Sequence, residues 1–157
     1  MVALDLIRTA RKLAMGGVGR PLQADLRRSI STAYYAMFHC IARAYADALI
    51  GTSIQTRDDS AWRQAYRSIT HTQVRNCCSR PEIMRMVAHE IQDFGAAFTE
   101  LQAFRDRADY DPNVIYFRSE VLRDINRAER VINKFRKARI QDRKAFVTYV
   151  ATKYRRF

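Results

Sequence analysis

The stretch Leu26-Arg27-Arg28-Ser29-Ile30-Ser31-Thr32-Ala33-Tyr34-Tyr35-Ala36-Met37-Phe38-His39-Cys40-Ile41 decides the fold. Across it and just beyond, Leu26, Ile30, Tyr34, Met37, Ile41, Tyr45 and Leu49 follow one another at steps of three or four residues, with Ala33 and Phe38 widening the stripe. Residues at that spacing project from one face of a helix, whereas a half-buried strand would alternate at every second residue. The pattern predicts one long helix over about residues 21–50. Pro21 suits the first turn, where its missing N–H is no loss, and Gly51 suits the stop.

Outward from this helix the same period recurs. Leu4, Ile7, Leu13 and Ala14 mark a short helix ending at Gly16-Gly17, and residues 52–60 read as a loop. Trp62, Tyr66 and Ile69 share one side of a third helix over about 61–77. Ser79-Arg80-Pro81-Glu82 opens a fourth, whose core stripe is Ile83, Val87, Ile91, Phe94, Phe98 and Leu101, and which runs to about residue 107. After the loop Asp109-Tyr110-Asp111-Pro112 a fifth helix faces Phe117, Val121, Ile125, Ala128, Ile132 and Phe135 inward. Ile140, Phe146, Val147, Tyr149 and Val150 are apolar enough for a sixth helix to dock. These elements predict an all-α, antiparallel up-and-down helical bundle of about five to six helices. Residues 1–139 form the bundle, and residues 140–157 a basic C-terminal helix or tail. With only five Gly and three Pro, the chain lacks the turn formers of an all-β fold.

Bulk properties narrow the function classes. A chain of 157 residues is long enough to bury its own core without staples. No apolar run approaches the roughly 18 residues of a membrane span, so a membrane protein is not expected. Asp5 falls early in an N-terminus without the pattern of an export leader, and three cysteines, two of them adjacent (Cys77 and Cys78), make a poor disulfide framework. Both point to the reducing cytoplasm. No C-x-x-C pair or spaced histidine pair is present, so neither a metal site nor a cofactor is expected.

Charge is more informative. The net charge is +12, and it is uneven: from Lys134 to Phe157 nine basic residues stand against one acid, Asp142, while the first 133 residues net only +4. Such a tail suits a polyanion, since neutralising phosphates releases counterions, although a solvated helix face would carry the same composition. A third use is a short amphipathic basic helix on a membrane surface, built from Lys144, Phe146, Tyr149, Val150, Lys153 and Tyr154; this tail is too polar to anchor the protein alone.

The commoner hydrolase and nucleotide-binding motifs are absent. One segment stands out. Arg105-Asp106-Arg107-Ala108-Asp109-Tyr110-Asp111-Pro112 gathers two guanidiniums, three carboxylates and a phenol at a helix exit. Arginine suits phosphate because its planar fork donates two parallel hydrogen bonds, and carboxylates can orient that fork or move protons. An ion-paired helix terminus with an Asp turn before Pro112 would carry the same residues. His39 sits at the edge of the long stripe, either as a satisfied boundary residue or as a site group; His71 and His89 form no spaced pair.

The run from Arg27 to His39 resembles the signature helix of HEPN domains, which carry an Arg-Ser followed by Ala-Tyr-Tyr-Ala-x-Phe-His. Leu101-Gln102, Arg105 and Ala108-Asp109-Tyr110-Asp111-Pro112 resemble a second signature of one bacterial branch. The resemblance covers roughly residues 4–138. It implies an antiparallel bundle, commonly a homodimer, in toxin–antitoxin, nucleotidyltransferase-associated or defence settings. Many members are metal-independent endoribonucleases whose Arg-x(4–6)-His motif binds phosphate and helps cleavage. Here no arginine precedes a histidine at that spacing, and the equivalent step from Arg105 ends on Tyr110.

The resemblance implies a protein that binds RNA or a nucleotide through Arg105, with Asp109, Tyr110 or His39 handling protons if it is catalytic. Arg107, Lys134, Arg136, Lys137, Arg139, Arg143, Lys144, Lys153, Arg155 and Arg156 would supply further phosphate contacts. The alternative is a non-catalytic dimeric interaction module that partners a nucleotidyltransferase-like protein or an antitoxin, the Arg105–Asp111 cluster being then a brace.

Overall fold

The computed structural model describes residues 2–157, and among these it holds eight helices and no strand. They are α1 (Val2–Met15), α2 (Gln23–Ile50), α3 (Asp59–Ser68), α4 (His71–Cys78), α5 (Pro81–Met84), α6 (His89–Tyr110), α7 (Arg118–Lys137) and α8 (Ile140–Ala151). Helix α2 is the axis, in contact with α1, α3, α6, α7 and α8. Its stripe is buried from Leu26 through Ile41, while Leu49, near its end, is 59% exposed.

The pairs α2–α6, α1–α7 and α6–α7 run antiparallel, as their side-chain contacts reveal. Arg27, early in α2, reaches the carbonyl of Ala108 at the end of α6, and Tyr34, two turns on, meets Gln102 further back. Along α1 and α7, Arg118 donates to the Ala14 carbonyl and Arg11 to Glu129. Between α6 and α7, Phe94 packs on Phe135 at 4.9 Å while Glu100 pairs with Arg127. In the first third of α6, Gly95 admits the approach of α4 and α5: a Cβ there would stand 2.6 Å from Met84 Cε and 3.4 Å from Cys78 Sγ.

Three boundaries differ from the sequence reading. The third predicted helix is two, α3 and α4, because the chain breaks at Ile69 and Thr70 opens α4 with a capping box: its hydroxyl accepts from the Gln73 N–H while the Gln73 side chain accepts from the Thr70 N–H. The fourth is also two, since the chain leaves α5 after Met84 and Gln92 ties the Val87 carbonyl from α6. Ile83 from α5 and Val87 from the linker itself still enter the core. Helix α6 then runs on through Asp109 and Tyr110. Phe117 does not face inward; it is the residue before α7, in extended conformation and 61% exposed.

Helix α8 buries Phe146, Val147 and Val150 in the same hydrophobic cluster as the rest, with the Phe146 ring 6.1 Å from that of Phe135. No helix among the described residues is long and apolar enough to cross a membrane.

Candidate functional site

Where α2 meets the end of α6, the two distinctive segments of the sequence lock together. Arg27 Nη1 donates to the carbonyls of Ala108 (2.9 Å) and Asp111 (2.7 Å), and Nη2 to those of Val114 (2.5 Å) and Pro112 (3.4 Å). The last carbonyls of a helix have no partner within it, and a cation there also suits the helix dipole. One turn along, the Ser31 hydroxyl donates to Asp109. Asp111 folds back on the Asn113 N–H at 2.9 Å, in the turn expected before Pro112. These residues hold the helix exit in place.

One further turn along α2 the arrangement changes. The Arg105 guanidinium lies 4.6 Å from the centre of the Tyr34 ring, an attractive placement over the ring's negative face. Its ion pairs are loose, 3.4 Å to Asp106 and 3.9 Å to Asp109, and its buried Nε has no hydrogen-bond partner. The Tyr34 hydroxyl accepts from Gln102 Nε2 at 3.1 Å and meets His71 Nδ1 at 2.6 Å. Tyr34 thus joins a guanidinium from α6 to an imidazole from the start of α4. Burial, partly offset by the Arg105 charge, pushes the Tyr34 phenol up to about 12. Burial also lowers the His71 pKa below its usual 6.5, helped by the charges of Arg105 and His39. His71 is therefore neutral at pH 7, with Nε2 on the ring edge away from Tyr34.

A row of rings leads from this cluster across the molecule. His71 stacks on Phe38 at 3.8 Å between centroids, Phe38 abuts His39 at 6.1 Å, His39 stacks on Tyr66 at 5.7 Å, and Tyr66 on Trp62 at 5.2 Å. Arg57 closes the far end, 4.2 Å from the Trp62 ring. His39 Nδ1 and the Tyr66 hydroxyl are 2.5 Å apart, and burial lowers the His39 pKa.

Of the residues singled out from sequence, the structure brings Arg105 and Asp109 together, but Asp109 is engaged by Ser31 as well. Tyr110 is 77% exposed. His39 stands two rings along the row from His71, with Phe38 between them, rather than at Arg105. Arg107 stacks on Phe104 at 5.1 Å from its ring centre. Lys134 pairs with Asp93, and Arg139 with Asp142 at 2.8 Å. Arg136, Lys137 and Arg143 line one cavity, Lys153 lines another beside Tyr154, and Lys144, Arg155 and Arg156 are exposed. His71 is the residue that sequence reasoning missed. Its signal was the Thr70-x-x-Gln73 capping box, which places His71 at the first position of a helix.

Among the described residues, no group of three or more His, Cys, Asp or Glu side chains is gathered so as to hold a metal ion. Compared with protein-family models, with curated proteins and with solved structures, the chain matches none.

Proposed function

We propose that this chain is a HEPN-like RNA-binding protein of the bacterial toxin–antitoxin or defence type, acting as a homodimer, and that it cleaves RNA without a metal ion. The observation that carries the reading is the Arg105–Tyr34–His71 cluster, a loosely paired cation and a neutral imidazole joined by one tyrosine. It supplies in space the pairing that no spacing in the sequence provides.

The chemistry is that of an RNA strand attacked by its own 2′-hydroxyl. Arg105 holds the scissile phosphate and offsets the charge that grows on it as the fifth P–O bond forms. In the tautomer that carries its proton on Nδ1 and donates it to Tyr34, His71 offers its Nε2 lone pair to the 2′-hydroxyl proton. The P–O5′ bond then breaks, and the departing oxygen takes a proton from water. The products are a 2′,3′-cyclic phosphate and a 5′-hydroxyl. Tyr34 and Gln102 are positioning residues that hold both groups.

The test is end-group analysis of RNA incubated with the purified protein in EDTA, on single-stranded and structured substrates. Cyclic phosphate and 5′-hydroxyl ends are expected. No cutting of either substrate would overturn the nuclease reading and leave the non-catalytic module, partnered by a nucleotidyltransferase-like protein or antitoxin.

A further inference from the structure

On the side of α2 away from Arg105, two cavities lie next to each other and share Cys40 and Arg43 in their walls. The first, about 480 Å³, is mostly apolar and is walled by His39, Trp62 and Tyr66, the far half of the ring row, with Arg43, Arg63 and Arg67 also in its lining. The second, about 410 Å³, is walled by Arg43, Arg136, Lys137 and Arg143 against a single carboxylate, Asp47. That carboxylate is already engaged: it accepts from the Trp62 indole N–H at 2.8 Å and pairs with Arg43 at 3.5 Å and Arg57 at 3.9 Å. The Nε of Arg143 is buried there with no hydrogen-bond partner. Four cations converging on one hollow, with an orphaned buried donor among them, make a site short of an anion.

The two hollows differ in chemistry and touch at Arg43. A ligand filling both must be flat and apolar at one end and multiply anionic at the other. We infer that they bind a nucleotide, its base in the aromatic cavity and its phosphates among Arg43, Arg136, Lys137 and Arg143. Aromatic walls accept any base through its π-face and edges, and arginine forks match phosphate oxygens. Such a unit is either a free nucleoside phosphate or one residue of an RNA strand. The site stands apart from Arg105 and holds whether or not the cleavage reading does.

The molecule carries its own reporter, because Trp62 is its one tryptophan. The experiment follows Trp62 fluorescence while ATP, GTP, adenosine, pyrophosphate and a 5′-phosphorylated RNA oligonucleotide are added in EDTA. A saturable change with nucleotide is expected, and adenosine or pyrophosphate alone should need at least tenfold more ligand. A change with ATP or GTP assigns the site to free nucleotide; a change with the oligonucleotide only assigns it to RNA. R136E and R143A should each weaken binding tenfold or more. Arg136 is exposed, so R136E reverses the charge without opening the core. R105A should leave the affinity for ATP or GTP within twofold, so failure here is distinguishable from failure of the nuclease reading. No Trp62 response to nucleotide or oligonucleotide, equal binding of pyrophosphate, or unchanged affinity in R136E would overturn the proposal.

Discussion

Arg27 and Arg105 belong to the two most distinctive segments of the chain, lie within two turns of each other across the α2–α6 contact, and do opposite things. Arg27 commits its donors to four backbone carbonyls and leaves little for a ligand. Arg105 sits on an aromatic face, pairs loosely with two carboxylates and keeps an unpartnered Nε. A residue whose hydrogen bonds are complete is structural; one held by weak, adjustable contacts is free to exchange them for phosphate oxygens. The same contrast separates Asp109, engaged from two sides, from His71, whose Nε2 stays open.

The largest effect that sharpens this contrast is on catalysis. R105A should lower RNA cleavage by roughly 10²- to 10³-fold, the usual effect of deleting a donor aimed at developing charge. Stability should fall by only about 1 kcal/mol, the worth of the lost cation–π contact. R105K should not restore full activity, since an ammonium lacks the fork. Next comes R27A, expected to cost about 3 kcal/mol in urea unfolding by releasing the carbonyls at the α6 exit. If R27A instead unfolds like wild type, the division of labour between the two arginines is broken.

A smaller effect is on pH dependence. Burial lowers the pKa of both His39 and His71, so the unfolded chain binds protons that the folded chain refuses. The stability so contributed is complete above pH 6.5 and is lost as pH falls through the lower folded values. H71Q should shallow that acid loss in melting curves recorded between about pH 7 and 4, and a slope unchanged from wild type would contradict it. The smallest effect is for Tyr110, which stands where the Arg-x(4–6)-His spacing from Arg105 would place a histidine. Being 77% exposed, Y110F should cut RNA and melt within error of wild type.

The fold was legible because its determinants are periodic. The stripe from Leu26 to Ile41 and the run Ile91, Phe94, Phe98, Leu101 went where their spacing put them. The breaks at Ile69 and after Met84 were harder, since apolar residues continue through both and only the polar pair Thr70 and Gln73 marks the first. Phe117 departs from the expected inward face because a helix-preceding residue in extended conformation does not follow the helical period. The candidate site was half legible. Arg105 and Asp109 stood out by composition, but His71 is joined to them through Tyr34 on another helix, a relation no local spacing encodes. Arg43 likewise reads as a solvated face of α2 until Arg136 and Arg143 arrive beside it from α7 and α8.

The central claim is that Arg105 is the phosphate-holding arginine and Arg27 the structural one. It is tested most directly by measuring RNA cleavage in EDTA and melting temperature side by side for wild type, R105A and R27A. The account predicts that R105A melts within a few degrees of wild type and has lost its cutting, whereas R27A melts well below it. Undiminished cleavage by folded R105A would contradict it.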